Sequence, residues 1–336
     1  MGNYSEGFYH ELALKWAPVN YQYINLSDHD CHYYTKRDLL MPVNMNCYRQ
    51  KDNHPNQVKD VEACWKTSEI RKRLANTNPR ELVPVAYYSV AETMNHFFVL
   101  YSFYHADDTM HPNDMEGCLV VLEKTADGKQ DLLGMMTVAH FDFWKYSYNG
   151  RLLPSKNVSY NRVNAMEVDD DLESQHPLIQ QESGKHGLYA LGDKIFFGTK
   201  IWRWLLALIN RYPDIIVYWP GKVALHYDID SLSRYRSTPH YPALYYEIID
   251  ITDPENGLWH RRTDRGNSTF QEDGTFYGGK ANPPWLWVEN ELENPRLNMW
   301  ENPAELAIKW FEPVEGRKKF DVQYVRRMDG TVINDP

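Results

Sequence analysis

The chain has 336 residues, of which 43% are hydrophobic and 24% are charged. This composition is that of a folded globular protein, and it excludes a disordered or collagen-like chain. The 46 acidic residues outnumber the 36 basic ones and give a net charge of −10, so a phosphate backbone is not attracted to the chain in general, and no nucleic-acid partner is expected.

Three patterns bear on the cellular setting of the protein. The longest apolar runs are shorter than the ~20 residues that cross a bilayer, which predicts no transmembrane segment. The first nine residues lack a basic region followed by an apolar stretch, which predicts no signal peptide and a cytoplasmic protein. A secreted chain whose leader had been removed would look the same. Four cysteines without a CxxC pair indicate neither a disulfide scaffold nor a thiolate zinc site.

The N-terminal segment has a helical pattern. Ser5 can cap the helix, Phe8, Leu12 and Trp16 fall on one face, and Pro18 ends it. Residues 19–62 are polar and aromatic, which predicts loops with short strands. A second short helix is predicted over 67–74.

Four apolar runs follow, at 83–91, 96–105, 118–124 and 132–143. Short polar turns separate them, including Asp127-Gly128, and such turns are typical of hairpins. The runs predict four antiparallel strands, and their nearly continuous apolar character indicates that both faces are covered. Residues 215–218 and 244–251 predict two more strands.

Two further helices are predicted in the second half of the chain, at 200–211 and 302–311. The second has Asn302 at the cap, Pro303 at the first helical position and Glu305 three residues after the cap. This is the pattern of a capping box, with proline where its missing N–H costs nothing.

Strands and helices do not alternate along the chain, which argues against a nucleotide-binding α/β sheet. No linker rich in Pro, Gly or Ser divides the sequence. We therefore predict one mainly β domain over 1–336, with an antiparallel β-sandwich core at about 80–255 and peripheral α-helices. The N-terminal extension 1–79 and the C-terminal segment 256–336 are expected to pack on this core.

The densest group of reactive side chains lies between two of the apolar strands, from His105 to Glu116. Asp114 and Glu116 are two residues apart and share a face if the strand has begun, while Asp108 and His111 lie in the preceding turn. Crowded carboxylates repel one another unless they are protonated or bridged by a cation. An oxygen-rich set with one histidine suits Mg²⁺ or Ca²⁺, and also Mn²⁺, better than Zn²⁺. The alternative is a solvated acidic loop.

Four more histidines lie in or beside apolar segments: His96, His140, His186 and His226. Such a histidine is commonly a hydrogen-bonded core residue, but it can also act as a ligand or as a general acid or base. His186 differs from the others because Gly184 and Gly187 flank it, and glycine permits unusual dihedrals and the close approach of a ligand.

Several of these motifs resemble a known superfamily. The loop His111-Pro-Asn-Asp-Met-Glu116 resembles the His-x-x-Asp-Trp-Glu signature of necrosis-inducing proteins of plant pathogens and of vacuolar-protein-sorting (sixty-two type) proteins. The aromatic strand that leads to Asp108 and the strand ending in His140 resemble neighbouring elements, and 176–187 resembles the His-Pro-Val-Val…Gly-Ser/Thr-His element. The opening Leu12-Ala-Leu-Lys-Trp-Ala-Pro-Val19 is similar to the sorting-type branch, which the chain resembles more than it resembles the secreted toxins.

The resemblance spans residues 12–190 and implies a β-sandwich that binds a divalent cation in a surface cavity. It implies ligand roles for Asp108, His111, Asp114 and Glu116, with His140 and His186 nearby. The chain departs from the signature at two positions, where Met115 replaces the usual Trp and Asn113 replaces a His of the necrosis signature.

The first functional hypothesis is a metal-dependent enzyme, a hydrolase or lyase, that acts on a small or medium-sized polar substrate. The metal would polarise a substrate oxygen or activate water, and His140 or His186 would transfer the proton. One alternative is a module in which the cation bridges a sugar or lipid headgroup, and another is a structural cation site in a scaffold protein. An open metal position in a deep pocket would favour the enzyme, a shallow aromatic-rimmed site the binding module, and a closed site the scaffold.

Overall fold

The computed structural model describes most of the β-rich part of the chain, over residues 4–24, 38–43, 84–108, 111–140, 142–158, 161–169, 175–193, 215–221, 243–263, 270–271, 274–276, 282–290 and 292–333. The helices predicted at 67–74 and 200–211, and the strand position of His226, lie outside these residues. Among the described helices, none is long and apolar enough to cross a membrane.

The described elements are mainly strands. The strands are β1 (Val19–Tyr23), β2 (Val85–Thr93), β3 (His96–Asp107), β4 (Pro112–Lys124), β5 (Gln130–Ala139), β6 (Asp142–Tyr148), β7 (Leu152–Pro154), β8 (Asn164–Met166), β9 (Val168–Asp169), β10 (His176–Gln181), β11 (Leu188–Ala190), β12 (Ile215–Pro220), β13 (Ala243–Asp250), β14 (Phe311–Pro313) and β15 (Tyr324–Arg326). The helices are α1 (Glu6–Trp16), α2 (Pro303–Trp310) and a 3₁₀ turn at Pro284–Leu286.

Thirteen of the strands form one mixed sheet in the order β11-β10-β1-β12-β13-β2-β3-β4-β5-β6-β8, with β15 beside β2 and β9 beside β10. β2 to β6 form an antiparallel meander. Four pairings are parallel, namely β1 with β10, β12 with β13, β13 with β2, and β6 with β8. The prediction of a mainly β fold is therefore confirmed, whereas a sandwich of antiparallel sheets is not confirmed.

One edge of this sheet folds back over its middle. β11 contacts β5 and β4, and the ring of Tyr189 on β11 meets Trp144 on β6 edge to face, with centroids 5.4 Å apart. This fold-back covers part of β4 and β5, while α1 contacts β2, whose nine residues are all buried. The apolar character of the runs, which predicted coverage on both faces, has this cause.

The fourth predicted strand is two strands. Residues 132–143 were expected to form one run, but β5 ends at Ala139 and β6 begins at Asp142. His140 lies in the turn between them with φ 61°, a left-handed conformation that a strand cannot contain. His140 is thus a turn residue at the end of a hairpin, and the apolar residues on either side concealed the turn.

The two helices pack on the outside of the sheet. Ser5 caps α1 by accepting the amide N–H of Phe8 at 3.3 Å, and the buried face of the helix carries Tyr9, Leu12, Ala13 and Trp16. At the start of α2 the expected capping box does not form, since Asn302 makes no side-chain cap bond. Glu305 instead accepts the Tyr324 hydroxyl at 2.6 Å, so its carboxylate ties the helix to β15.

Candidate functional site

The candidate site lies where β3 ends, β4 begins and β5 turns into β6. Asp114 and Glu116 both belong to β4, are each 4% exposed and lie on one face of the strand because side chains alternate. His105 on β3 is the register partner of Asp114. The strand therefore begins early enough to place the two carboxylates as the sequence predicted.

Asp108 and His111 form the turn that leads into β4. Asp108 Oδ1 accepts the amide N–H of His111 at 3.0 Å, and the ring Nε2 of His111 lies 3.5 Å from Asp108 Oδ2. The next residue but one, Asn113, has φ 58° and accepts the Tyr104 hydroxyl on its Oδ1 at 2.7 Å. These contacts hold the turn against the end of β3.

His186 is the centre of a buried polar group. Its Nδ1 lies 2.7 Å from Asp114 Oδ2, and its Nε2 lies 3.3 Å from Asp38 Oδ1. Its ring stacks on that of His105, with centroids 3.8 Å apart and planes 7° from parallel. The side chain has no exposed surface, so the imidazole is held on both edges and on one face.

The surroundings of His186 favour its charged form. Burial by itself lowers the pKa of an imidazole, but the hydrogen bonds and the negative charges of Asp114 and Asp38 outweigh it and raise the pKa of His186 to about 9. In its protonated form the ring donates from both nitrogens, one to each aspartate.

Only one of the two carboxylate oxygens of Glu116 accepts a hydrogen bond from a described residue. Its Oε1 accepts the amide N–H of His140 at 3.0 Å. Its Oε2 is buried and meets no hydrogen-bond donor within the described ranges. Burial, and next the charge of Asp114, raise the pKa of Glu116 well above its usual range. A buried carboxylate with a free oxygen is costly and has the chemistry of a cation ligand.

His140 is the most accessible of the candidate histidines that the structure describes. Its side chain is 37% exposed, and its Nε2 lies 3.5 Å from Glu182 Oε2. Glu182 follows β10, and Gly187 follows it across a turn closed by the bond from the Glu182 amide to the Gly187 carbonyl at 3.0 Å. His140 and Glu182 thus form a pair at the rim of the site.

Backbone strain is concentrated at this site. Among the described residues other than glycine, four have positive φ, and three of them are Asn113, His140 and His186. Such conformations cost energy and recur at functional sites. Gly187 serves a different purpose, because a Cβ added there would lie 3.2 Å from Glu182 Oε2 and 3.3 Å from the Tyr189 hydroxyl. The unusual dihedral predicted for the glycines around His186 is found at Gly184, with φ 82°, and the close approach of a ligand stays a prediction.

All six predicted residues lie at this end of the β3–β4 hairpin: Asp108 and His111 in the turn and Asp114 and Glu116 on β4, with the His140 amide bonded to Glu116 and the His186 ring to Asp114. It adds two that the sequence did not single out, Asp38 and Glu182, and it stacks His105, the first residue of the predicted group, on the His186 ring. Asp38 is followed by the buried Leu39 and Leu40. This apolar pair is the one local feature of the sequence that indicates a buried position for Asp38. Within the described part of the chain, no three His, Cys, Asp or Glu side chains already converge as a set for one ion.

Comparisons with known proteins return structures alone. No family model matches the chain, and no curated protein matches it. Among solved structures, the non-toxic HaNLP3 protein matches with a TM-score of 0.31 and 12% identity over 55% of this chain and 69% of that one. Necrosis and Ethylene inducing Protein 2 from the causal agent of cocoa's Witches Broom disease matches with a TM-score of 0.27 and 17% identity over 56% and 68%.

A third match, to NLPPya in complex with glucosamine, has a TM-score of 0.21 and 18% identity over 32% of this chain and 44% of that one. All three are structures of the necrosis-inducing group that the sequence resembles. The preference for the sorting-type branch stays a prediction.

Proposed function

We propose that this protein binds a divalent cation through Asp108, His111, Asp114 and Glu116, and binds a polar ligand through that cation. The observation that carries the proposal is the buried Oε2 of Glu116, which has no donor within the described residues. A second carboxylate, Asp114, lies on the same face of β4. No described lysine or arginine pairs with either of them.

The donor set fits a hard cation. Three carboxylates and one imidazole are ligands of the kind that Ca²⁺, Mg²⁺ and Mn²⁺ accept. A bound cation supplies the missing positive charge and open positions for ligand oxygens. Two groups of the chain would orient the carboxylate ligands: the His140 amide bonds to Glu116, and the His186 ring bonds to Asp114. Groups that hydrogen-bond to metal ligands in this way fix the orientation of the ligand atoms.

Titration calorimetry with Ca²⁺, Mg²⁺ and Mn²⁺ tests the proposal. Asp114→Asn and Glu116→Gln should each weaken binding at least about tenfold, or about 1.4 kcal/mol, because each removes one anionic ligand. Asp127→Asn is the matched control, since that carboxylate is exposed on the β4–β5 turn. A wild-type protein that binds none of the three ions would overturn the proposal, and two variants of unchanged affinity would place the ion elsewhere.

The ligand class follows from the charge of the site. Carboxylates that outnumber cations attract an ammonium group, and a cation with open positions takes vicinal hydroxyls. Amino sugars carry both groups, and glucosamine and mannosamine are the sugars named with the NLPPya structures. Both are suitable probes here. Their binding should disappear when the cation is removed with a chelator, and chelator-resistant binding would refute the cation-mediated step.

Hydrolysis is the second candidate, and the exposure of His140 favours it. Of the two histidines predicted to transfer protons, His140 reaches solvent and is paired with Glu182, whereas the edges of the His186 ring are held by carboxylates. We therefore propose His140 as the general acid or base and His186 as a positioning group. On a substrate found by screening, His140→Ala should lower turnover about 10²–10⁴-fold at unchanged cation content. Full turnover in this variant would exclude the role.

A further inference from the structure

Asp38 reaches the candidate site from a distant part of the sequence. Its side chain has no exposed surface. The segment that carries it, 38–43, is fixed to the meander by two bonds, from the Met41 amide to the Tyr104 carbonyl at 3.3 Å and from the Val43 amide to the Tyr87 hydroxyl at 2.9 Å. Leu39 and Leu40 are fully buried. The Asp38 carboxylate is therefore presented by a rigid element.

Both oxygens of Asp38 hold the turn that carries His186. Oδ1 accepts the amide N–H of Gly184 at 2.8 Å and lies 3.3 Å from His186 Nε2. Oδ2 accepts the Ser183 hydroxyl at 2.6 Å. Gly184 has φ 82° and His186 has φ 57°, so the turn contains two left-handed residues, and the bonds to Asp38 offset part of that strain.

We propose that Asp38 is a positioning residue of the cation site: it fixes the His186 ring, and the ring in turn fixes Asp114 for the cation. This inference rests on the function proposed above. The chain of contacts runs from Asp38 Oδ1 to His186 Nε2, and from His186 Nδ1 to Asp114 Oδ2 at 2.7 Å. The parallel ring of His105 closes one face of the imidazole.

The geometry explains why a residue outside the ligand set would affect the ion. An imidazole held at one edge can still rotate, whereas a ring held at both edges and stacked on a third group has a single orientation. Without Asp38, the turn loses two bonds and the ring loses one of its two edge partners. Loss of such an outer partner commonly weakens metal binding about 10–100-fold.

The matched control is Asp321, a carboxylate with a similar task far from the site. It accepts the Thr93 hydroxyl and the amides of Met94 and Asn95 at 3.1–3.2 Å, on the turn between β2 and β3. It also accepts the Gln323 amide at 3.2 Å, so removing it costs at least as many hydrogen bonds as the three contacts of Asp38 with Ser183, Gly184 and His186. A variant there reports what general destabilisation does to cation binding.

The experiment compares Asp38→Ala, Asp38→Asn and Asp321→Ala in the full chain, with Ca²⁺ calorimetry, thermal melting and the NMR signal of the His186 ring Nδ1–H. Asp38→Ala should weaken Ca²⁺ binding about tenfold and shift or broaden the ring signal. Asp38→Asn keeps an acceptor for the Gly184 amide, so it should recover part of both. Asp321→Ala should lower the melting temperature and leave Ca²⁺ affinity and the ring signal unchanged.

Three results would overturn the inference. If wild type binds Ca²⁺ and Asp38→Ala binds it equally well, Asp38 does not position the site, while the proposed function stands. If Asp321→Ala weakens Ca²⁺ binding as much as Asp38→Ala, the effect is general destabilisation. A wild-type protein that binds no Ca²⁺, Mg²⁺ or Mn²⁺ would overturn the proposed function together with this inference.

Discussion

The two ends of the β3–β4 hairpin both bury charged groups, but they balance them differently. At the end where β3 begins, Lys124 pairs with Glu92, and Arg317 pairs with Asp131 at 2.6 Å and with Glu123 at 3.6 Å. At the other end, Asp114, Glu116 and Glu182 are paired with no described lysine or arginine, and histidines are their neighbours.

One buried histidine at each end, His96 and His186, shows the same contrast. His96 lies against Phe320, with ring centroids 4.7 Å apart, and burial lowers its pKa to about 4. His186 lies between two aspartates, and its pKa is raised to about 9. One end thus satisfies its charges internally, as a structural element does, and the other keeps an excess of carboxylate that an external cation can satisfy.

Substitution of a carboxylate at each end should give the largest difference. Glu92 accepts Lys124 and the Tyr9 hydroxyl, so Glu92→Gln leaves the largely buried Lys124 ammonium without its charge partner and with the Thr93 carbonyl as acceptor. The substitution should cost about 3 kcal/mol. Glu116→Gln removes a carboxyl that already disfavours its charge and should change stability by less than about 1 kcal/mol. Urea unfolding in the presence of a chelator measures both changes. Equal losses of unfolding free energy in the two variants would contradict the proposed difference between the two ends of the hairpin.

Burial of neutral His96 should make the free energy of unfolding fall as the pH is lowered. The pKa of His96 is about 4 in the folded chain and 6.5 ordinarily, so the unfolded chain takes up the proton first as the pH falls. The stabilisation is present above pH 6.5 and is lost between 6.5 and 4. A difference of about 2.5 units corresponds to about 3 kcal/mol. Unfolding curves of wild type and His96→Phe across this window should diverge by that amount, and parallel curves would contradict the prediction.

The His186 end should show the opposite sign. Here the folded pKa is about 9 against an ordinary 6.5, so the folded chain holds the proton more tightly. The stabilisation is present below pH 6.5 and is lost as the pH rises through 9, again by about 3 kcal/mol. His186→Gln, measured without divalent cation, should flatten the dependence between pH 6.5 and 9. A flat wild-type curve in this range would mean that the ring is neutral.

The smallest expected effect concerns Gly187, the glycine that lies against Glu182 and Tyr189. Gly187→Ala places a methyl group against the Glu182 carboxylate and the Tyr189 hydroxyl, both of which can shift, so the cost should be about 1 kcal/mol. Gly128→Ala is the control at the other end of the hairpin. Gly128 has φ 80°, and a Cβ added there would meet no atom within 4 Å. Its cost, about 1–2 kcal/mol, comes from backbone strain alone. Cation binding should weaken in the first variant only.

Much of the fold followed from local pattern. The meander strands were predicted because each is a short apolar run bounded by polar turns, and α1 because its apolar residues recur at helical spacing. The break at His140 was missed, since the residues on both sides are apolar and no glycine or proline marks the turn. The parallel pairings of β13 with β2 and of β12 with β13 were also missed, because pairing between distant strands leaves no local periodicity.

The candidate site divides along the same line. The sequence by itself determined that Asp114 and Glu116 share a face of β4, because strand side chains alternate and the two are two residues apart. Only the tertiary structure decided that Asp38, 146 residues from Gly184 in the chain, reaches the turn that carries His186. It also decided that the pKa of His186 is raised while that of His96 is lowered, although both side chains are buried. A side chain's spacing is a local property, whereas its burial and its charge partners depend on which distant segments fold against it.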